Sequence, residues 1–370
     1  MVKVLIGDMF ESKAQTLVNT VNCVGVMGKG IALESKKRFP EAYRDYVRRC
    51  EDGEVKLGRP YLYKSLTGPW ILNFPTKGHW RMVTKLADII EGLQYLVKHY
   101  KTWGIESLAV PPLGCGQGQL EWRIIGPTLY RYLKQMEIPI ELYAPYGTPH
   151  EELQTSFLVS SPMPSAKWVR PAWVALIEIL DRLEQQPYHW PVGRTTFQKI
   201  AYVATEEGLP TNLEYEPASF GPFSPGMKKL ETTLVNHGLI EEKPLGRMFA
   251  VKVGRTFRDA RKAYASDLEQ WNDKIERITD LFMRMNTKQA ELTASVLFAK
   301  RILSLGHKNL ALSERDVFEY VMDWKRRRKP PLDPSGLAAT IRDLGGLGWL
   351  HVKPSDDLPL PKELLEAANC

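Results

Sequence analysis

Leu17-Val-Asn-Thr-Val-Asn22-Cys-Val-Gly25-Val-Met-Gly28-Lys-Gly30-Ile-Ala is the stretch on which the fold turns. An apolar, partly β-branched run over 17–21 ends in asparagine, and a glycine-rich loop then feeds straight into a helix predicted at 30–38. Glycines let backbone N–H groups come close to an oxyanion, and the helix N-terminus behind them favours negative charge. The loop therefore reads as a phosphate cradle. It is not a Walker A loop, because Gly30 follows Gly28-Lys29 where the magnesium-holding Ser or Thr would stand. Nor does Gly25-x-x-Gly28-x-Gly30 match the Gly-x-Gly-x-x-Gly dinucleotide fingerprint.

Working outward, a second strand–loop–helix unit follows much later. Residues 107–110 lead into Pro111-Pro-Leu-Gly114-Cys-Gly116-Gln-Gly118-Gln-Leu120 and then a helix at 122–135. Two such loops make a two-sided grip on a diphosphate. Further strands are predicted at 2–6, 62–65, 70–74 and 138–143, with 62–65 and 70–74 forming a hairpin about a Thr67-Gly-Pro turn. Helices are predicted at 41–50 and 84–100. Strands alternating with helices imply a sheet covered on both faces. Residues 1–150 are thus expected to form a three-layer α/β/α domain. Asp8, just past the first strand, is placed where a carboxylate could accept a hydrogen bond from an adenine amino group.

The chain has 370 residues, 44% hydrophobic and 25% charged, which suits two globular domains and excludes collagen, coiled coil and wholesale disorder. No uncharged apolar run approaches the ~18–20 residues of a spanning helix. An acid at position 8 argues against a signal peptide, so a cytoplasmic protein with no membrane partner is expected. Cys23, Cys50, Cys115 and Cys370 show no Cys-x-x-Cys spacing and read as reduced thiols; no metal and no cofactor are implied. Residues 1–150 hold 20 Lys+Arg against 14 Asp+Glu, while 151–370 hold 30 against 29. The basic first half suits a polyanionic partner.

From 151 to 170 periodicity fails and Pro and Ser are frequent, which reads as a linker. Residues 171–370 then read as a mainly helical domain, with helices at 173–183, 196–206, 225–237, 258–285, 288–305 and 313–324. A strand at 248–253 behind the third of these suggests a winged-helix-like element. The basic run Lys325-Arg-Arg-Arg-Lys329 closes the last helix and reads first as compensation of its dipole.

Gly7-Asp8, the Val18-Asn-Thr-Val-Asn22 strand with its glycine loop, and Pro111-Pro-Leu-Gly-Cys-Gly-Gln-Gly118 together resemble the macrodomain family of ADP-ribose binders. With Asn73-Phe-Pro-Thr-Lys77-Gly-His-Trp80-Arg, they resemble those members that remove ADP-ribose from thymidine in DNA as antitoxins. The resemblance is strong over 1 to about 150. Beyond it, Arg194-Thr-Thr-Phe-Gln-Lys-Ile-Ala-Tyr-Val203 and Phe220-Gly-Pro-Phe-Ser-Pro225 resemble SocA-like antitoxin domains more loosely. The resemblance implies that Asp8 contacts adenine and Asn22 orients the distal ribose. It implies that Gly25, Val26, Met27, Gly28, Lys29 and Gly30 wrap the diphosphate together with Gly114, Cys115, Gly116, Gln117 and Gly118. Lys77 falls on the family's catalytic lysine. The partners so implied are ADP-ribose, ADP-ribosylated single-stranded DNA and, for 171–370, a DarT-like ADP-ribosyltransferase toxin.

A lysine suits that chemistry. The base nitrogen leaving ribose C1″ needs a proton or a charge partner, and an ammonium supplies both. If desolvated, the neutral amine could instead attack the opened sugar as a Schiff-base nucleophile. His79, Trp80 and Arg81 follow at once, a basic and aromatic group suited to an unpaired base and its phosphates. Three functions compete: a DNA ADP-ribosyl glycohydrolase, a non-catalytic ADP-ribose-binding module, and a DNA-binding regulator built on the second half. Near-neutral charge there weighs against the third.

Overall fold

The computed structural model describes residues 1–160, 169–246, 248–306 and 312–359. The chain divides into two compact units, Met1–Trp168 with Lys228–His237, and Val169–Met227 with Gly238–Cys370.

The first unit is built on a six-stranded sheet. Its strands are β1 (Val2–Leu5), β2 (Thr16–Asn22), β3 (Tyr61–Tyr63), β4 (Trp70–Lys77), β5 (Leu108–Val110) and β6 (Ile140–Tyr143), in the spatial order β1-β6-β5-β2-β4-β3. All pairings are parallel except β3 with β4, the hairpin read from the Thr67-Gly-Pro turn. The helices are α1 (Gly30–Arg38), α2 (Pro40–Glu51), α3 (Leu86–Trp103), α4 (Trp122–Leu133) and α5 (Thr155–Val159).

Alternation along the strands explains the layers. Val18, Leu72, Phe74, Leu108, Val110, Ile140 and Leu142 face one core with Leu93, Leu96, Ile125 and Leu129 of α3 and α4. Leu17, Ile71, Ala109 and Tyr143 point the other way, against Ile31 and Ala42 of α1 and α2. β2, covered on both sides, carries no charge. Its one buried polar side chain among the middle residues, Asn19, donates to Asn73 Oδ1 across the β2–β4 pair at 2.9 Å.

Two readings are corrected here. The linker does not begin at 151: a 3-10 turn at His150–Leu153 and α5 occupy the segment, and Leu158 is buried in the core with Leu153 and Phe157 against it. An amphipathic helix of five residues is too short to reveal itself by period. The rest of the expected linker, 161–168, lies outside the described residues, as do 360–370 at the end of the expected helical domain. Second, β4 runs past residue 74 through Pro75 to Lys77, so Lys77 ends a strand and does not sit in a loop.

The second unit is mainly helical, as expected. Its elements are α6 (Pro171–Glu184), α7 (Arg194–Glu206), the hairpin β7 (Glu216–Ala218) and β8 (Gly221–Phe223), α8 (Gly226–Asn236), whose residues from Lys228 group with the first unit, and the hairpin β9 (Ile240–Leu245) and β10 (Met248–Val253). Then come α9 (Phe257–Ala263), α10 (Ala265–Gln270), α11 (Asn272–Phe282), α12 (Thr287–Gly306), α13 (Glu314–Trp324) and α14 (Pro334–Gly346). Every residue from Val174 to Leu180 of α6 is buried, as is α12 over Ala290–Val296, so these two helices lie deepest. A Leu→Ala change at such sites costs about 2–5 kcal/mol. The helix expected at 258–285 is three helices, broken at Tyr264 and Trp271; the first break lets the Tyr264 hydroxyl donate to Val169 O. A winged-helix element is not established: α8 is followed by the two-stranded β9–β10 sheet, and the two belong to different units.

Candidate functional site

Strands β2 and β5 are neighbours in the sheet, yet the helices that follow them lie on opposite faces, α1 against Leu17 and Ile71 and α4 against Leu108 and Val110. Their outgoing loops therefore diverge and leave a crevice at the carboxyl ends of the strands, where open α/β sheets bind ligands. Both glycine-rich loops open there. Lys77 arrives beside them on β4.

The first loop is braced by side chains. Asn22 Oδ1 accepts from Val24 N (2.9 Å) and Val26 N (3.4 Å), and its Nδ2 donates to Val26 O (2.5 Å). Fully buried Tyr46, on α2, donates to Asn22 O (2.9 Å) and Oδ1 (3.0 Å) from below. Met27 turns down into a small core with Val21, Tyr46 and Val55. Gly25 (φ +76°) and Gly30 (φ +56°) take left-handed backbone that other residues resist. Val24, Val26, Gly28 and Lys29 are left facing outward, and α1 starts with no side-chain cap on its first N–H groups. Asn22 thus shapes the loop with its amide. Tyr46 is the residue that sequence reading missed; only the apolar stripe of its helix pointed at burial.

The second loop is held by its own backbone. Leu120 N donates to Gly114 O (3.0 Å) and Gln119 N to Gly116 O (3.1 Å). A Cβ on Gly118 would stand 2.2 Å from Gly114 O, whereas one on Gly116 would meet nothing. Gly118 closes the loop and Gly116 faces open space. Burial pushes the Cys115 thiol up to about 12, so it stays protonated at neutral pH and is no nucleophile. A cavity of about 560 Å³ lies beside this loop, lined by Cys115, Trp122, Tyr146 and Glu152 among others.

A shift of register between Val21 and Asn22 sets Lys77 directly opposite Asn22. Such bulges re-aim a side chain next to active sites. Lys77 is only 9% exposed, and its Nζ donates to Gln117 O of the second loop at 2.8 Å. The lysine so links β4 to the loop across the crevice. Nothing in the sequence signalled this contact. Beyond it, Trp80 is 48% exposed, stacked on His79 at 5.4 Å and covered by the Arg81 guanidinium at 4.6 Å. His79 Nδ1 accepts from Arg81 N.

Asp8 caps the turn at Met9–Glu11, accepting from Phe10 N at 2.9 Å, and lies 3.7 Å from Arg38. A separate cavity of about 570 Å³ lined by Phe10, Arg38 and Trp70 lies where β2 and β4 begin, away from the glycine loops. Among the described residues no cluster of His, Cys, Asp or Glu is placed to hold a metal, and no helix is long and apolar enough to cross a membrane.

Comparison with known proteins bears on this crevice. Residues 18–127 match the Macro domain family. A DNA ADP-ribosyl transferase–DNA ADP-ribosyl glycohydrolase fusion protein of Thermosipho africanus is 43% identical over 175 residues, 42% of this chain and 45% of that one. A DNA ADP-ribosyl glycohydrolase of Thermus aquaticus is 35% identical over 241 residues, 64% of this chain and 65% of the relative. The solved macrodomain of Mycobacterium tuberculosis DarG is 44% identical, with 39% of this chain and 98% of that one covered, at a TM-score of 0.38. The chain spans between about half and two thirds of the length of these curated relatives.

Proposed function

Starting from a first unit that is a macrodomain, we propose that this chain removes ADP-ribose from thymidine bases of DNA by hydrolysing the bond between ribose C1″ and the base nitrogen. The observation that carries the reading is the position of Lys77: buried, at the end of β4, reaching across to Gln117 O between the two glycine loops. Asp8 takes the adenine, and the loops at 25–30 and 114–118 take the diphosphate and distal ribose, backbone N–H groups replacing water around the phosphates. For Asn22 the ribose role is indirect, since its amide shapes the loop.

In the reaction water adds to C1″ as the C1″–N bond breaks, and the proton passes to the departing base nitrogen. Lys77 serves as general acid and as the positive charge beside the leaving base. The hydrogen bond from Lys77 Nζ to the Gln117 carbonyl at 2.8 Å holds the amine between the two loops, where the leaving base would lie. His79, Trp80 and Arg81 hold the unpaired base and its flanking phosphates. The second unit binds a DarT-like toxin.

Incubation with a single-stranded oligonucleotide carrying ADP-ribosylated thymidine tests the proposal: free ADP-ribose and unmodified DNA are expected. Binding without release would leave an ADP-ribose reader. Borohydride should trap no protein–sugar adduct; a trapped adduct on Lys77 would make it the nucleophile.

A further inference from the structure

Two segments singled out in the sequence, 220–225 and 325–329, have no part in the hydrolytic site, and the second unit brings them together. Lys325 does not lie along a solvated helix end. Its Nζ turns in to Glu291 Oε1 at 2.7 Å, and Arg328 reaches both Glu291 oxygens, at 2.9 and 3.0 Å. The Arg328 guanidinium covers the ring of Phe220, 5.4 Å away. Under the same hairpin, Lys199 of α7 is 2% exposed and donates to Pro222 O at 2.7 Å. Gly221 lies so close to it that a Cβ there would stand 3.3 Å from its Nζ.

The charge at this spot does not balance. Among the described residues, Lys199, Lys325 and Arg328 share one buried carboxylate, Glu291. Burial, and then Lys325, push the Lys199 ammonium down to about 7. Burial raises the Glu291 carboxyl, yet hydrogen bonds from Arg328 and Lys325 outweigh it and leave it below its ordinary value. With Lys199 partly neutral at neutral pH, Lys325 and Arg328 against the one Glu291 carboxylate leave the excess, and charge so little exposed to water is screened weakly. Above it, Arg326, Arg327 and Lys329 are exposed, with only Asp323 at 3.7 Å from Arg326 as a surface counter-charge among the ion pairs of this turn. On the hairpin, Phe220, under the Arg328 guanidinium, and Phe223 stand 52% and 42% exposed.

The geometry points to this face, the tip of the β7–β8 hairpin with the basic turn after α13, as a binding site for single-stranded DNA outside the hydrolytic crevice. Exposed rings flanked by arginine suit unpaired bases, which stack on aromatic faces without regard to sequence, while the basic turn meets phosphates. The near-neutral charge of the second half conceals this local excess. An acidic protein segment is the competing occupant; exposed rings favour bases over carboxylates. The inference rests on the proposed action on DNA only in choosing DNA as the polyanion.

The test uses the full chain and an unmodified single-stranded thymidine-containing oligonucleotide, read by fluorescence anisotropy over a range of salt. Phe220→Ser with Phe223→Ser should weaken binding roughly five- to a hundredfold for each stacked base lost. Arg326→Glu with Arg327→Glu should weaken it and flatten the salt slope by about 0.7 for each phosphate contact removed. All four side chains are exposed, so the fold is kept. On the ADP-ribosylated nucleoside both variants should match the wild type. Wild type that releases no ADP-ribose from the modified oligonucleotide sinks the hydrolase proposal alone. Unaltered oligonucleotide affinity in both variants, or loss of toxin capture with DNA affinity intact, overturns the DNA site.

Discussion

The loop at 22–30 is braced from beneath by side chains, while the loop at 114–118 closes chiefly on its own backbone, with Lys77 donating to Gln117 O, though both end a parallel strand and open a helix. In the first, Asn22, Tyr46 and Met27 fix the path from beneath and leave the outer backbone facing the crevice. In the second, Gly118 packs so closely on Gly114 that any side chain at Gly118 meets carbonyl oxygen. The first loop should therefore tolerate loss of one brace, and the second should tolerate nothing at its closing glycine.

The largest break in that comparison is Gly118→Val. Its Cβ would overlap the Gly114 backbone, so the loop must open; overpacking of about 1–3 kcal/mol and loss of detectable ADP-ribose binding are expected, by thermal denaturation and calorimetry. Gly116→Val separates shape from fold. Nothing in the protein resists its side chain, so Tm should hold while ADP-ribose affinity falls at least tenfold; full affinity would show that the diphosphate does not cross this loop. Tyr46→Phe is milder. Asn22 Oδ1 keeps its donors from Val24 and Val26, so about 1 kcal/mol of stability and a few-fold in affinity should be lost.

A last contrast sets the units apart by pH. Lys199 is near 7 in the folded chain and about 10.4 unfolded, so between those values the unfolded state binds more protons and stability rises with pH. The stability of wild type relative to Lys199→Met should thus improve from pH 7 to about 10, by urea unfolding at each pH. A flat difference would mean that Lys199 is not desolvated.

The first unit was legible because its signals are local. A β-branched run, an asparagine and glycines at fixed offsets state strand, turn and helix within fifteen residues, and two copies locate the crevice. What was not legible depends on partners far along the chain. Lys77 finds Gln117 forty residues on, Tyr46 reaches back to Asn22, and α5 is too short to carry a period. In the second unit the three-residue strands β7 and β8 carry Pro217 and Pro222, which read as turn, and β9 carries Pro244, so the hairpins escaped notice. Lys325 looked like a solvated helix end because Glu291, which turns it inward, lies on another helix.

Turnover by Lys77→Ala, measured as ADP-ribose released from ADP-ribosylated thymidine in single-stranded DNA, tests the central claim most directly. The lysine addresses the leaving base and not the diphosphate, so the rate should fall by about 10²–10⁴ while calorimetry finds ADP-ribose binding largely intact. Near-full turnover by the variant would contradict the account and leave Lys77 a structural link to Gln117 and nothing more.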